Sequence, residues 1–131
     1  MISALSWWRR INSMEKVFFQ LCAIAKETLG KYPKTKMSQV VVLRTCGGNT
    51  HALFARWEEV FSVGDRIADI LKAQEDTAVK YVVTMWENGC VDLPSYSLRE
   101  KLILLDPQNR ETLLFLRNGN LLHTRTIEST M

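Results

Sequence analysis

Three glycine-containing turns, each between two runs of strand-forming residues, constrain the fold of this chain most strongly. Glycine supplies the positive φ angles that tight hairpin turns need, and the flanking runs are rich in β-branched and aromatic residues. The sequence therefore predicts three antiparallel hairpins. The turns are Gly47-Gly48-Asn49, Asn88-Gly89 and Asn118-Gly119-Asn120, and the hairpins that contain them span about 39–57, 80–93 and 112–127.

The first of these turns has a competing interpretation, which is a glycine-rich phosphate loop. A loop of that kind requires the pattern Gly-x-x-x-x-Gly-Lys-Ser/Thr, in which the lysine reaches the phosphates. That lysine is missing after Gly47-Gly48. We therefore favour the hairpin.

Helical periodicity occupies the segment before the first hairpin. Asn12 and Glu15 form a capping pattern, and an apolar stripe at three- and four-residue spacing follows it. Gly30 and Pro33 then end the helical pattern. These signals predict a helix over about 13–29.

Two further helices are predicted between the hairpins, at about 63–75 and 97–105. The second of them is ambiguous, because residues 98–106 also fit a buried strand. A short helix is the favoured interpretation.

Hairpins separated by amphipathic helices predict a two-layer α+β domain, because the apolar helix faces must be buried on an antiparallel sheet. The sheet would contain about six strands from the three hairpins. A chain of 131 residues fits one domain. We place this domain at 13–131 and interpret residues 1–12 as an N-terminal arm or a helix extension.

The cysteines and the missing targeting signals bear on location. Cys22, Cys46 and Cys90 are odd in number and lack Cys-x-x-Cys spacing, which argues against a disulfide framework and a zinc ribbon. No apolar run reaches the about 18 residues that a membrane helix needs. The first residues also lack the order of charge and apolar core that export requires. We expect a cytoplasmic protein with no membrane association, no metal and no cofactor.

Positive charge is concentrated in the first third of the chain. Up to Arg44 there are eight Lys or Arg residues against two Glu, a net charge of +6, and the remainder has a net charge of −3. This asymmetry suits an anionic partner or an acidic face of a second copy, although a solvated face is the favoured interpretation. Tyr32 lies among the densest lysines and is available for stacking on a base. The candidate nucleic-acid contacts are Lys26, Lys31, Lys34 and Lys36.

Four tryptophans are more than the core of so small a domain usually needs, and Trp and Arg are favoured at interface hot spots. Trp7 and Trp8 are adjacent and would lie about 100° apart on a helix, so one apolar face cannot bury both. Their segment is therefore the predicted partner contact, and deleting residues 1–12 is expected to weaken association without unfolding the domain. The predicted partner-contact residues are Trp7, Trp8, Arg9 and Arg10.

The two histidines are the side chains whose ordinary pKa lies near neutrality, so an acid–base mechanism would use one of them. His51 and His123 both fall in predicted strands. We expect His123 to be packed between strand neighbours, opposite Leu114. We also expect that the two histidines do not share a cleft.

A cluster of arginine and histidine is the candidate anion or ligand site, because guanidinium and imidazole groups both donate to phosphates and carboxylates. Arg44 and His51 become neighbours across the first hairpin if Gly47-Gly48 is its loop, and Arg125 is the third member. Cys46 with His51 is a candidate nucleophile and base, although the spacing matches no nucleophile motif.

The sequence carries no catalytic fingerprint. We therefore expect a non-catalytic binding module that contacts a protein partner or another copy of itself. The alternative is a small-molecule or nucleotide-binding domain that uses Arg44, His51 and Arg125, and the third hypothesis is a small hydrolase or nuclease. These hypotheses require, in order, an exposed apolar patch, an enclosed pocket and converging titratable groups.

Overall fold

The computed structural model describes the backbone of residues 4–131 and the side chains of residues 13–131. The helices are α1 (Ala4–Gly30), α2 (Val63–Ala73) and α3 (Tyr96–Leu105). The strands are β1 (Gln39–Thr45), β2 (Thr50–Ala55), β3 (Val79–Trp86), β4 (Val91–Asp92), β5 (Leu113–Asn118) and β6 (Leu121–Thr126). Short 3-10 helices occupy Trp57–Ser62, Pro107–Glu111 and Glu128–Thr130. The predicted α+β class, with six strands and three helices, is confirmed.

The first helix, α1, begins earlier than the sequence predicted. Asn12 lies inside the helix, so the capping pattern at Asn12 and Glu15 does not mark its start. The C-terminal end of α1 is at Gly30, as predicted. None of the helices in the described backbone combines the length and apolar character that crossing a lipid bilayer requires.

The sheet has the strand order β2-β1-β3-β5-β6, and β4 pairs with the end of β3. The three hairpin pairs are antiparallel, as is the pair of β1 with β3. β3 and β5 are parallel, with Tyr81 opposite Leu113 and Val82 opposite Leu114. The chain passes through α3 between these two strands, and a crossover of this kind is what parallel pairing requires. The outer strands are β2 and β6.

Helices cover both faces of the sheet. β1 is an apolar run without alternation, and its side chains are buried towards α1 on one face and towards α2 and α3 on the other, as the central position of this strand demands. The core on the α1 face contains Phe18, Leu21, Cys22, Ala25, Val40, Val42, Val83, Met85, Val91 and Phe115. The core on the opposite face contains Val41, Leu43, Ala55, Val63, Ile67, Leu71, Val79, Val82, Leu98, Leu102, Leu114 and Ile127.

Gly64 sets the close packing of α2 against α3. A Cβ atom at this position would lie 3.1 Å from the Ser97 carbonyl oxygen and 3.2 Å from the Leu98 Cα. An ion pair of 3.1 Å between Lys101 and Asp65 lies beside this contact. Because residues near the start of each helix make these contacts, α2 and α3 begin at the same end of the layer.

A buried amide connects the α2–α3 side of the fold. The backbone N–H of Val79 donates to Asn109 Oδ1 at 2.7 Å, and Asn109 Nδ2 donates to the carbonyl oxygens of Leu102 and Thr77 at 2.8 and 2.9 Å. Asn109 is fully buried, so its polar atoms are satisfied by protein groups alone. The side chain therefore links the 3-10 helix at Pro107–Glu111 to β3 and α3.

Candidate functional site

The length of the first hairpin loop determines whether Arg44 and His51 of the predicted ligand cluster lie on the same face of the sheet. This loop is Cys46–Gly48, with Gly48 at φ +90°, and is one residue longer than the Gly47-Gly48 loop considered above. Arg44 consequently pairs with Thr50, and His51 pairs with Leu43. Since a shift of one residue reverses the face on which a strand side chain lies, Arg44 and His51 are on opposite faces of the sheet.

The structure does not bring Arg44, His51 and Arg125 together, so this predicted site is wrong. Arg44 is on the α1 face, where it donates to Thr50 Oγ1 and Gln20 Oε1, both at 3.2 Å. Arg125 is on β6 at the far edge of the sheet and donates to the Ser129 carbonyl oxygen at 2.6 Å. The loop length separates the first two residues, and the strand order separates the third.

The prediction that His123 is packed between strand neighbours is also wrong. His123 pairs with Leu116 rather than with Leu114, and it is exposed. His123 lies on the α2–α3 face of the sheet. The two helices on that face bury residues of β1, β3 and β5 but leave the middle of the outer strand β6 in solvent. His51 lies on β2 at the opposite edge, so the two histidines do not share a cleft.

His51 is half-buried beside a small crevice on the α2–α3 face. Leu43, Ile67 and Leu71 are among the residues that line this crevice. The buried Nε2 atom of His51 has no hydrogen-bond partner in the part of the chain whose side chains are described. Within the same part, no hydrogen bond joins Cys46 to His51, and no three His, Cys, Asp or Glu side chains gather as metal ligands.

Asp76 links the first hairpin loop to the segment between α2 and β3. Its carboxylate accepts hydrogen bonds from the Thr45 hydroxyl, from Asn49 Nδ2 at 2.7 Å and from the backbone of Gly47. These donors, Thr45 first, hold the pKa of Asp76 below its ordinary value, and the nearby His51 adds to the effect. These hydrogen bonds all join the α2–β3 segment to the first hairpin loop, so the role of Asp76 is to hold that loop in place.

The three cysteines are free. Burial raises the pKa of the Cys22 thiol, and the positive charges of Arg117 and Lys26 offset part of this effect. Cys46 and Cys90 are exposed beside their hairpin turns.

The four lysines of the candidate nucleic-acid surface are exposed at the end of α1 and in the loop that follows it. Tyr32 is not free to stack on a base with both faces, because its ring stacks on Phe54 at a centroid distance of 3.9 Å and an interplanar angle of 5°. Lys26 and Lys34 line a groove of about 430 Å³, whereas Lys31 and Lys36 do not.

The side chains of Trp7, Trp8, Arg9 and Arg10 lie outside the described residues, so the partner contact predicted there stays a prediction. The other two tryptophans are near each other, with 6.3 Å between the ring centroids of Trp57 and Trp86.

Three large aromatic side chains are exposed around the start of the α2–α3 layer. Phe61 is 75% exposed, Tyr96 58% and Trp57 49%. Phe61 lies two residues before the start of α2, Tyr96 begins α3, and Gly64 brings these two helix starts into contact. We call Trp57, Phe61 and Tyr96 the aromatic surface.

Sequence reasoning missed Phe61 and Tyr96. The available signal is that Phe61 follows Val60 directly. Successive residues of a 3-10 helix point about 120° apart, so Phe61 lies on a different side of this helix from the buried Val60.

No protein-family model matches this chain, and a search of the curated proteins returns no match.

Proposed function

We propose that this protein is a non-catalytic interaction module and that the aromatic surface docks a second copy of the chain. The observation that carries the proposal is the exposure of Phe61, Tyr96 and Trp57 around one end of the α2–α3 layer. Large aromatic side chains gain much from burial at an interface, and Trp and Tyr are enriched among its hot spots. Leaving three of them in water is unfavourable unless a partner covers them.

The charges around the aromatic surface favour a second copy as the partner. Arg56 and Arg66 both contact Glu59, and the exposed Glu58 precedes Glu59 in the same 3-10 helix, so the rim carries both signs of charge. A two-fold axis places a surface against itself, and a rim of mixed charge then allows acidic groups of one copy to meet basic groups of the other. The ion pair of Arg66 with Glu59 is long, at 3.9 Å, and both side chains are partly exposed, while Glu59 also accepts a hydrogen bond from the Arg56 backbone N–H at 3.1 Å.

The distribution of titratable groups supports binding rather than acid–base chemistry. The two histidines lie at opposite edges of the sheet. The carboxylate of Asp76 accepts its hydrogen bonds from the first hairpin loop and is therefore engaged in holding that loop. A hydrolase or nuclease would need such groups to converge on one cleft. The expected cytoplasmic location depends on the cysteine pattern and stays a prediction.

Sedimentation equilibrium over a wide range of concentrations tests the proposal. We expect the native chain to show a reversible monomer–dimer equilibrium and the substitutions Phe61→Ser and Tyr96→Ser to weaken it by about tenfold or more, because hot-spot residues each contribute about 2 kcal/mol. Both side chains are exposed, so the variants should keep the circular dichroism of the native chain.

The matched control is Phe19→Ser, which removes an exposed phenylalanine from α1 on the other face of the sheet. This variant should dimerise like the native chain. A chain that stays monomeric at every concentration would refute the proposal, as would an equal loss of dimer in Phe19→Ser and Phe61→Ser.

A further inference from the structure

A groove opens where α1 ends, on the α1 face of the sheet, opposite the face that carries α2, α3 and the aromatic surface. Its volume is about 430 Å³, which lies within the range of about 300–1,000 Å³ that is typical of small-ligand pockets. One wall is the last turn of α1, another is the loop that follows, and the third is the turn between β3 and β4. The lining residues include Lys26, Leu29, Tyr32, Lys34, Phe54 and Met85.

The floor of the groove is apolar because of the strand register. Val40 pairs with Phe54 on one side and with Met85 on the other, so the three side chains form one row across β2, β1 and β3. Val40 and Met85 are fully buried beneath the groove, whereas Phe54 is half-buried and faces it together with Leu29 of α1. Tyr32 stacks on Phe54 and extends the apolar wall upward from the sheet.

Two lysines stand at the rim of this apolar floor. Within the described side chains, neither Lys26 nor Lys34 has a carboxylate within ion-pair distance, whereas Lys31 pairs with Glu27 at 4.0 Å. Glu87 also lines the groove, on the β3–β4 side. An ammonium group next to an apolar floor attracts an anionic head group while the floor takes the apolar body.

We propose that this groove binds a small amphiphilic anion, with one carboxylate or sulfonate group held by Lys26 and Lys34 and an apolar body on Phe54 and Leu29. A polyanion such as a nucleic acid fits less well. Its phosphates would meet Glu87, and the stack of Tyr32 on Phe54 occupies a ring face that a base would use. The groove and the proposed dimer contact lie on opposite faces of the sheet and share no residue.

The fluorescent aromatic sulfonate 8-anilinonaphthalene-1-sulfonate is the probe for the test. We expect saturable binding to the native chain, weakened about 3- to 10-fold in the double variant Lys26→Ala/Lys34→Ala, because each partly exposed charge contact contributes modestly. The double variant Lys31→Ala/Lys36→Ala removes the same net charge from the same region without touching the groove lining. It should bind the probe within about twofold of the native chain.

Competition separates the head group from the apolar body. Decanoate should displace the probe from the native chain better than 1-decanol does, and the Lys26→Ala/Lys34→Ala variant should lose this preference. Tyr32→Ser should weaken the binding of both competitors to the same extent, because the substitution removes apolar surface from the groove wall and leaves its charges unchanged. Phe61→Ser should leave probe binding unchanged, which shows that the probe is not on the aromatic surface.

Three results would overturn the proposal. The first is a lack of saturable probe binding, and the second is an equal loss of binding in the two double lysine variants. The third is a single-stranded oligonucleotide that binds more tightly than decanoate and depends equally on all four lysines, which would assign the surface to nucleic acid instead. None of these results bears on the dimer experiment, so the two proposals fail separately.

Discussion

The two faces of the sheet carry different numbers of helices, and this difference explains where the molecule leaves surface open. On one face α2 and α3 lie side by side and meet closely at Gly64. On the other face α1 lies alone and ends at Gly30. Strands are about 4.8 Å apart, so five strands span about 19 Å, whereas one helix with its side chains is about 10–12 Å wide. Two helices can cover such a face, but one cannot.

The number of helices on each face of the sheet determines where candidate binding sites form. On the α1 face, the row that contains Phe54 and Met85 continues beyond the end of the helix, and a groove forms there. On the α2–α3 face the helices cover β1, β3 and β5, so the open apolar surface lies on the helical segments themselves, at Phe61 and Tyr96. The two faces thus favour different occupants, a small ligand in a groove and a protein on a surface.

The largest expected effect tests whether the singly covered face nevertheless has a true core. Phe115 packs between Phe18 and Tyr81, at centroid distances of 5.5 and 5.4 Å. Phe115→Ala should lower the free energy of unfolding by about 3–5 kcal/mol in urea denaturation, because a buried aromatic side chain and its contacts are lost. The exposed neighbour Phe19→Ala should change it by less than about 0.5 kcal/mol. A small loss for Phe115→Ala would mean that α1 is only loosely attached.

The next effect concerns the buried amide on the doubly covered face. Asn109→Ala should destabilise the protein by about 2–3 kcal/mol, because the Val79 N–H and two carbonyl groups lose their partner away from water. The exposed neighbour Gln108→Ala is the control and should be nearly neutral. Equal thermal unfolding of Asn109→Ala and the native chain would show that this face does not depend on the amide.

The spacing between α2 and α3 is tested by Gly64→Val. The new side chain would meet backbone atoms of Ser97 and Leu98, which cannot rotate away. We therefore expect Gly64→Val to lower the free energy of unfolding by about 1–3 kcal/mol. Gly30→Ala is the control on the other face, because nothing lies within 4 Å of a Cβ atom there. That variant should be neutral or slightly more stable. If both variants behave alike, the helix layer is more adaptable than its close packing indicates.

The smallest effect is the pH dependence that Asp76 confers. Because hydrogen bonds to its carboxylate lower its pKa in the folded state, Asp76 stabilises the fold above the unfolded pKa of about 3.9, and this contribution is lost as pH falls through the lower folded value. Asp76→Asn should therefore be less stable than the native chain at neutral pH, and the difference should shrink in acid. A difference that stays constant between neutral and acidic pH would exclude this linkage.

Much of the fold follows from local patterns in the sequence. The three hairpins and three helices appear close to their predicted positions, because glycine turns and apolar spacing act over a few residues. The prediction was wrong where the exact loop length mattered. One additional loop residue, Cys46, moved Arg44 and His51 to opposite faces, and the sequence pattern fits either loop equally well.

The sequence by itself determined the α+β class and the approximate positions of the three hairpins and of the helices that follow the first hairpin. Only the tertiary structure decided that β3 and β5 run parallel, that Asp76 reaches the first hairpin loop, and that Lys26 and Lys34 share a groove. Secondary structure depends on residues a few positions apart. Strand order, helix coverage and contacts such as that of Asp76 with Asn49 join distant segments, and many arrangements of the same elements satisfy the local rules equally well.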